Sequence, residues 1–190
     1  MNYEIVLDHG ETENKCTVTP LRDRPDFRFV PVFGQGPLGP LSAPVLLHPE
    51  GRCLTEIEVS RPVEALACVD CVWRRLPKIL PRLQWSGEPA TLVKIPAGFV
   101  TAYPRTGFDP EGGLATIEAI FIAAALLGNW DVTLLSRYYF GRAFVERNAK
   151  RFAELGVAGA LDESHWPAQL QPQRNSYNRN RNRGRLATAN

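Results

Sequence analysis

Two carboxylates and one indole stand in or beside apolar stretches, where polar chemistry is unusual. Asp70 follows the apolar run at residues 65–69, and Trp73 comes three residues later, close enough to share a pocket with it. Ligands of open α/β sheets gather at the carboxyl ends of the strands, so this pair is a candidate site. Glu118 lies inside the apolar segment 114–127, where a buried carboxylate needs hydrogen-bonding partners.

Each of these residues also has a purely structural interpretation. Asp70 could cap a following helical turn, and Trp73 could be a core residue. Glu118 could pair with an arginine. Taken singly, the structural and the functional interpretations stay equally open at this point.

Two further patterns look like motifs, but we interpret them as structural. Cys68 and Cys71 form a Cys-x-x-Cys, which is half of a zinc site without a second half at matching spacing. We therefore expect ordinary cysteines and no metal. Residues 34–39 formally fit G-x-G-x-x-G, but Pro40 and Pro44 follow where a phosphate-binding helix would begin, so we predict a proline-rich loop.

Short apolar runs separated by turn residues predict an α/β fold with a covered, mostly parallel sheet. Pro31 would place the second strand at an edge of the sheet, because proline lacks the N–H that a central strand uses. The predicted strands are residues 3–7, 28–33, 44–47 and 65–69, with shorter extended pieces at 91–94 and 99–103.

Two helical segments are predicted in the second half of the chain. Residues 114–127 include only two polar side chains, which predicts a helix buried on all sides that ends at Gly128. Residues 131–155 predict a second helical region with Asp131 as its N-cap. We expect Gly141 to break this region and Gly156 to end it.

Charge divides the chain into two parts. The 190 residues include 22 Lys and Arg against 20 Asp and Glu, a net charge of +2. Five of the arginines and no acidic residue fall within residues 171–190, which leaves the first 170 residues with a net charge of −3. We interpret residues 1–160 as one folded domain and residues 161–190 as a basic, disordered tail.

The sequence lacks the signals of membrane insertion and of export. It includes no apolar run long enough to span a bilayer. The first residues, Met1-Asn-Tyr-Glu4, have neither the basic nor the apolar region of a signal peptide. We therefore expect a cytoplasmic protein that makes no membrane contact. We also expect a monomer.

A series of short motifs occurs in collinear order between about residues 5 and 150. These are Leu7-Asp-His9, Lys15-Cys-Thr17, Leu46-Leu-His-Pro49, Asp70-Cys-Val-Trp73, Ala102-Tyr-Pro104, Leu114-Ala-Thr-Ile-Glu-Ala119 and Phe140-Gly141 with Phe144 and Asn148. In this order they resemble the motifs of the small-subunit ribosomal RNA aminocarboxypropyltransferases. The Asp70 motif agrees with that family's Asp-Cys-Ser-Trp at three of four positions.

The resemblance implies a SPOUT-like fold, in which a mostly parallel sheet has helices on both faces and a C-terminal trefoil knot binds S-adenosylmethionine. It implies transfer of the 3-amino-3-carboxypropyl group from S-adenosylmethionine to a (pseudo)uridine ring nitrogen in small-subunit rRNA. The implied partner is this rRNA or its precursor. The arginines of the tail would add phosphate contacts.

The resemblance also implies roles for individual residues. Trp73 would pack on the sulfonium methyl, so that the methylene of the amino acid arm faces the RNA. Asp70 would accept the ring-nitrogen proton or orient the base, and Glu118 would tie the loops around the pocket. Thr17 would lie near the methionine carboxylate. The full set of implied cofactor contacts is Thr17, Val69, Trp73, Phe99, Leu114, Ala115 and Thr116.

Two other functions stay open. A non-catalytic RNA-binding or ribosome-assembly protein could keep this fold, since Tyr103 and Thr106 stand where the family has Asn and Tyr. A tRNA-uridine aminocarboxypropyltransferase is the other alternative, because the Asp-x-x-Trp of DTW-domain enzymes is partly mimicked by Asp70 and Trp73. Binding of S-adenosylmethionine would distinguish the rRNA enzyme from the non-catalytic protein. The RNA that is modified would distinguish it from the tRNA enzyme.

Overall fold

The computed structural model describes residues 1–8, 16–57, 62–104, 112–162 and 170. Of the predicted tail at 161–190, only residues 161, 162 and 170 are among these residues, and its arginine-rich part at 171–190 lies outside them. So do His9, Lys15 and Thr106 of the motifs above.

The centre of the molecule is a parallel five-stranded sheet. In chain order the strands of the described residues are β1 (Asn2–Asp8), β2 (Phe27–Val32), β3 (Leu38–Leu41), β4 (Val45–Cys53), β5 (Ala65–Asp70), β6 (Leu83–Trp85) and β7 (Thr91–Lys94). The large sheet has the order β2-β1-β5-β4-β7, and every neighbouring pair in it is parallel. The prediction of an α/β fold with a mostly parallel sheet is confirmed.

The predicted strands follow from burial on both faces of the sheet. β1 buries every residue but its first, as a central strand of a covered sheet should. β2 is an edge strand, as Pro31 predicts. The predicted loop at residues 34–39 is wrong at its end, because β3 begins at Leu38 and pairs in parallel with β6. Both strands of this small sheet are short, and β3 includes a proline, so neither has a recognisable strand pattern.

Helices cover one face of the large sheet. They are α2 (Thr116–Leu126) and α3 (Gly141–Glu154), and they share one core with the side chains of Ile5, Leu66 and Val93. α2 is buried along most of its length, as its apolar sequence predicts.

The region predicted as helical from Asp131 is helical in two pieces. Asp131 caps a 3-10 turn at Val132–Leu135 by accepting a hydrogen bond from the Thr133 amide, and the α-helix starts only at Gly141. A Cβ at Gly141 would lie 2.7 Å from the Leu135 carbonyl oxygen, so the chain folds back too closely there for a larger residue.

The other face is covered by the small sheet and by the short helix α1 (Leu76–Ile79), whose Ile79 packs on Val6 and Val32. Glu4 of β1 holds this layer in place. Its carboxylate accepts hydrogen bonds from Arg28 and from the backbone amides of Ser42 and Ala43. Helices therefore lie on both faces, as expected, although on this face they are only short turns. Among the described segments, every helix is too short or too polar to cross a bilayer.

Candidate functional site

Asp70 is the last residue of β5 and lies at the carboxyl end of the large sheet, with 8% of its surface exposed. Its Oδ1 accepts a hydrogen bond from the Thr116 hydroxyl at 2.6 Å. Its Oδ2 accepts one from the Cys16 thiol at 3.2 Å. The carboxylate therefore joins three segments that are far apart in the sequence.

The first turn of α2 faces this carboxylate. Ala115 precedes the helix in an extended conformation, and Thr116 is its first residue. The Thr17 hydroxyl accepts a long hydrogen bond, 3.4 Å, from the Ile117 amide. Amides at a helix N-terminus carry a partial positive charge, so the Thr17–Thr116 region is suited to an anion.

Cys16 acts here as a neutral donor. Burial, and after it the negative charge of Asp70, raise the pKa of the Cys16 thiol to about 11. The thiol is therefore protonated at neutral pH and can donate to the carboxylate. Burial also raises the pKa of Cys68 well above its ordinary value. In the described part of the chain no three His, Cys, Asp or Glu side chains are grouped as metal ligands.

Trp73 opens a 3-10 turn (Trp73–Arg75) three residues after the last residue of β5, and it is 40% exposed. The interpretation of Trp73 as a core residue is therefore wrong. Arg75 anchors the turn, since its Nε lies 2.9 Å from Asp8 Oδ2. This contact is an ion pair without the direction of a hydrogen bond, and Asp8 Oδ2 has no hydrogen-bond partner among the described residues.

Glu118 is fully buried and ties the loop before α2 to the helix. Its carboxylate accepts five hydrogen bonds: from the hydroxyls of Thr101 and Tyr138, and from the amides of Ala102, Tyr103 and Ala115. The role expected for Glu118 as a structural tie agrees with these contacts. Its donors are hydroxyls and amides instead of an arginine.

The other residues predicted to contact the cofactor differ in exposure and in what they pack against. Val69 and Leu114 are partly exposed next to Asp70 and Thr116 in the sequence, and Ala115 is buried. Phe99 is only 8% exposed, and its ring centroid lies 4.9 Å from that of Phe152 in α3. The described contacts therefore join Asp70, Thr116 and Thr17 through the first turn of α2, and they tie Phe99 to α3.

Sequence reasoning missed two residues of this region. Cys16 belongs to the Lys15-Cys-Thr17 motif, but no local pattern shows that it reaches Asp70. Asp8 had the same signal as Asp70, a carboxylate at the end of an apolar strand, and it ends the neighbouring strand β1. That signal could have found it.

This constellation lies in a fold that one solved structure shares. The chain is similar to the SAM-dependent rRNA:acp-transferase Tsr3 from Vulcanisaeta distributa, with a TM-score of 0.54 and 19% sequence identity over 81% of this chain and 82% of that chain. The two share a fold. No family model matches the sequence. No curated protein matches it either.

Shared architecture gives the site a context but leaves its chemistry to the residues themselves. A buried carboxylate with two side-chain donors lies beside the N-terminal turn of a helix, and a half-exposed indole follows it. Such a group can accept a proton or a hydrogen bond. The indole can cover a cation or an apolar group.

Proposed function

We propose that this protein transfers the 3-amino-3-carboxypropyl group of S-adenosylmethionine to a (pseudo)uridine ring nitrogen in small-subunit rRNA. The observation that carries the proposal is the placement of Asp70 between β5 and the first turn of α2, with Trp73 exposed beside it. The fold shared with an rRNA:acp-transferase supports it, and so does the collinear order of the motifs.

The described residues fit S-adenosylmethionine by their donor chemistry. Thr17 already accepts from the Ile117 amide, so its hydroxyl proton remains available for the methionine carboxylate. Val69, Leu114 and Ala115 offer backbone and apolar surface for the adenosyl group. Trp73 would cover the sulfonium methyl with its exposed ring face.

S-adenosylmethionine supplies an activated sulfonium leaving group, so positioning provides much of the rate. The N–C bond to the base would form as the C–S bond of the amino acid arm breaks, with methylthioadenosine as the leaving group. Asp70 would orient the ring N–H and accept its proton. Both carboxylate oxygens have lone pairs left beside the bonds from Thr116 and Cys16.

Labelled S-adenosylmethionine tests the proposal directly. Incubation with small-subunit rRNA should incorporate label from the amino acid arm and none from the methyl group. Methyl incorporation without arm incorporation would make the protein a methyltransferase. tRNA is tested in parallel, because arm transfer to tRNA alone would indicate the tRNA-uridine enzyme.

Two variants separate the roles of the site residues. Trp73→Ala should weaken S-adenosylmethionine binding by about 1–3 kcal/mol, measured by calorimetry, because it removes the aromatic surface for the sulfonium. Asp70→Asn should lower turnover more than cofactor affinity. Unchanged affinity in Trp73→Ala would place the cofactor elsewhere.

One observation favours a non-catalytic RNA-binding protein as the second candidate. Each oxygen of Asp70 already accepts a hydrogen bond from a protein side chain, as a purely structural carboxylate would. This candidate predicts no calorimetric binding of S-adenosylmethionine. Tight binding of S-adenosylmethionine would exclude it.

Several finer features belong to the same proposal. They are the SPOUT-like C-terminal knot, the boundary between a domain at 1–160 and a tail at 161–190, the phosphate contacts of the tail, the monomeric state, and action in the cytoplasm during ribosome biogenesis. Leu170 is buried against Gly141. Truncation for a tail test should therefore begin after Leu170.

A further inference from the structure

Besides the arginines at 171–190, a second cluster of positive charge lies beside the candidate site, on the helical segment that follows β5. Residues 73–82 include Arg74, Arg75, Lys78 and Arg82, and no acidic residue occurs between Cys71 and Gly87. This concentration contrasts with the net charge of −3 over residues 1–170. A local cluster of this kind indicates a partner with negative charge.

Two of the four cations fix the segment to neighbouring parts of the fold. Arg75 pairs with the buried Asp8 at the end of β1. Arg82 donates to the carbonyl oxygens of Gly36 at 2.8 Å and Phe33 at 3.0 Å, which fastens the loop after β2 to the same segment. The segment and the loop are therefore held together as one surface.

The other two cations are exposed. Arg74 lies in the 3-10 turn that Trp73 opens, and Lys78 lies in α1, which follows that turn directly. No carboxylate of the described residues pairs with either. Three cations of α3 differ in having a carboxylate partner: Arg142 pairs with Glu146, and Lys150 and Arg151 both pair with Glu154.

Two exposed aromatic residues belong to the same region: Trp73 precedes Arg74 in the chain, and Phe33 is bonded through its carbonyl oxygen to Arg82. Phe33 is 67% exposed, and Trp73 is 40% exposed. Phe33, Asp8 and Asp70 follow or end β2, β1 and β5, which are neighbours in the sheet, so the surface continues along the edge that includes the candidate site. Cations beside exposed rings are how proteins bind single-stranded nucleic acid, since phosphates contact the cations and bases stack on the rings.

We propose that Arg74, Lys78 and Phe33 form a binding surface for a single-stranded RNA segment next to the target base. The identity of the partner as RNA rests on the proposed function. Arg74 and Lys78 contact phosphates, and Phe33 stacks on a base. Arg75 and Arg82 are positioning residues that hold the surface against the sheet.

Equilibrium binding of a fluorescent single-stranded RNA to the full chain tests this surface, measured over a range of salt concentrations without S-adenosylmethionine. Arg74→Ala/Lys78→Ala should lower the salt slope of log K by about 1.4, since each phosphate contact on a single strand contributes about 0.7. Phe33→Ala should weaken binding about tenfold and leave the slope unchanged. The matched control Arg142→Ala/Lys150→Ala, which also removes one arginine and one lysine, should change neither quantity.

An unchanged slope in Arg74→Ala/Lys78→Ala, with thermal unfolding like that of the wild type, would overturn the proposal. An equal loss in the control pair would also overturn it, by indicating a non-specific charge effect. So would equal binding of a duplex RNA or equal displacement by polyglutamate, since the surface would then recognise any polyanion.

Failure of this inference is distinguishable from failure of the proposed function. If the wild type transfers the amino acid arm but the Arg74→Ala/Lys78→Ala variant binds RNA as the wild type does, the proposed binding surface is refuted and the proposed function stands. A chain that transfers nothing but loses the predicted slope in the double variant keeps the surface and refutes the enzyme.

Discussion

Glu118 and Asp70 are two buried carboxylates at the same end of α2, yet the structure uses them differently. Glu118 accepts three hydrogen bonds from backbone amides and two from hydroxyls. Asp70 accepts from the Thr116 hydroxyl and the Cys16 thiol, both of which are side chains. Backbone donors move only if the loop unfolds, whereas side chains can rotate away. Glu118 therefore builds the loop, and Asp70 can exchange partners when a ligand arrives.

Replacement of Glu118 should have the largest effect on stability. Glu118→Ala leaves several buried donors without an acceptor, and we expect it to lower the free energy of unfolding by about 4 kcal/mol. Urea-induced unfolding measures this loss. Asp70→Asn keeps one acceptor oxygen and has fewer donors to satisfy, so it should lose about 1 kcal/mol.

Glu118→Gln is the matched control, because it keeps the shape and one acceptor oxygen. Its loss should lie between those of Glu118→Ala and Asp70→Asn. Equal losses of unfolding free energy in Glu118→Ala and Asp70→Asn would contradict this distinction between Glu118, which holds the loop, and Asp70, which can exchange partners.

The contacts of these two carboxylates differ in how well the sequence predicts them, because their partners lie at different distances along the chain. The carboxylate at the end of an apolar strand and the polar residue in an apolar helix are local patterns, and both pointed to buried positions. The partners of Glu118 lie within about 20 residues of it, and its loop-tying role was implied by the family resemblance. Cys16 and Thr116 lie 54 and 46 residues from Asp70, and only the packed structure brings them together.

The fold has the same division between local and distant causes. Apolar runs predicted the strands of the large sheet, and Pro31 predicted the edge position of β2 because it lacks a ladder donor. β3 and β6 were missed, since Leu38–Leu41 and Leu83–Trp85 are too short to show alternation. Arg82 donates to the loop before β3, and Glu4 accepts from the amide of Ser42 directly after β3. No local pattern reveals these contacts.

Alkaline pH should lower the stability of the protein at the Asp70 site, because the Cys16 thiol ionises. Burial, with the charge of Asp70 as the second cause, raises the pKa of the thiol from 9.0 to about 11. The folded protein therefore holds this proton more tightly than the unfolded chain does. The resulting stability is complete below pH 9 and is lost as the pH rises towards 11, by about 2 kcal/mol.

Urea unfolding at several pH values between 8 and 11 measures this loss. Cys16→Ser keeps a donor for Asp70 but does not ionise in this range, so its stability should fall less steeply with pH. Cys53→Ser is the control, because Cys53 is partly exposed and lies outside the site. Parallel curves for the wild type and Cys16→Ser would show that the thiol proton contributes nothing.

Loss of the bond between Thr116 and Asp70 should change stability as little as Asp70→Asn does. Thr116→Val removes one donor from the carboxylate and should cost about 1 kcal/mol of unfolding free energy, because the other bond from Cys16 remains. If Asp70 must be held in place to orient the ring nitrogen, turnover should fall in Thr116→Val while S-adenosylmethionine affinity changes little.

Thr116→Ser restores the hydroxyl and should restore turnover. A turnover that is lost equally in Thr116→Ser would mean that the hydroxyl alone does not explain the loss and that the γ-methyl is needed as well. Unchanged turnover in Thr116→Val, beside a slow Asp70→Asn, would mean that Asp70 acts without its partner and that exchange of side-chain donors is not part of the mechanism.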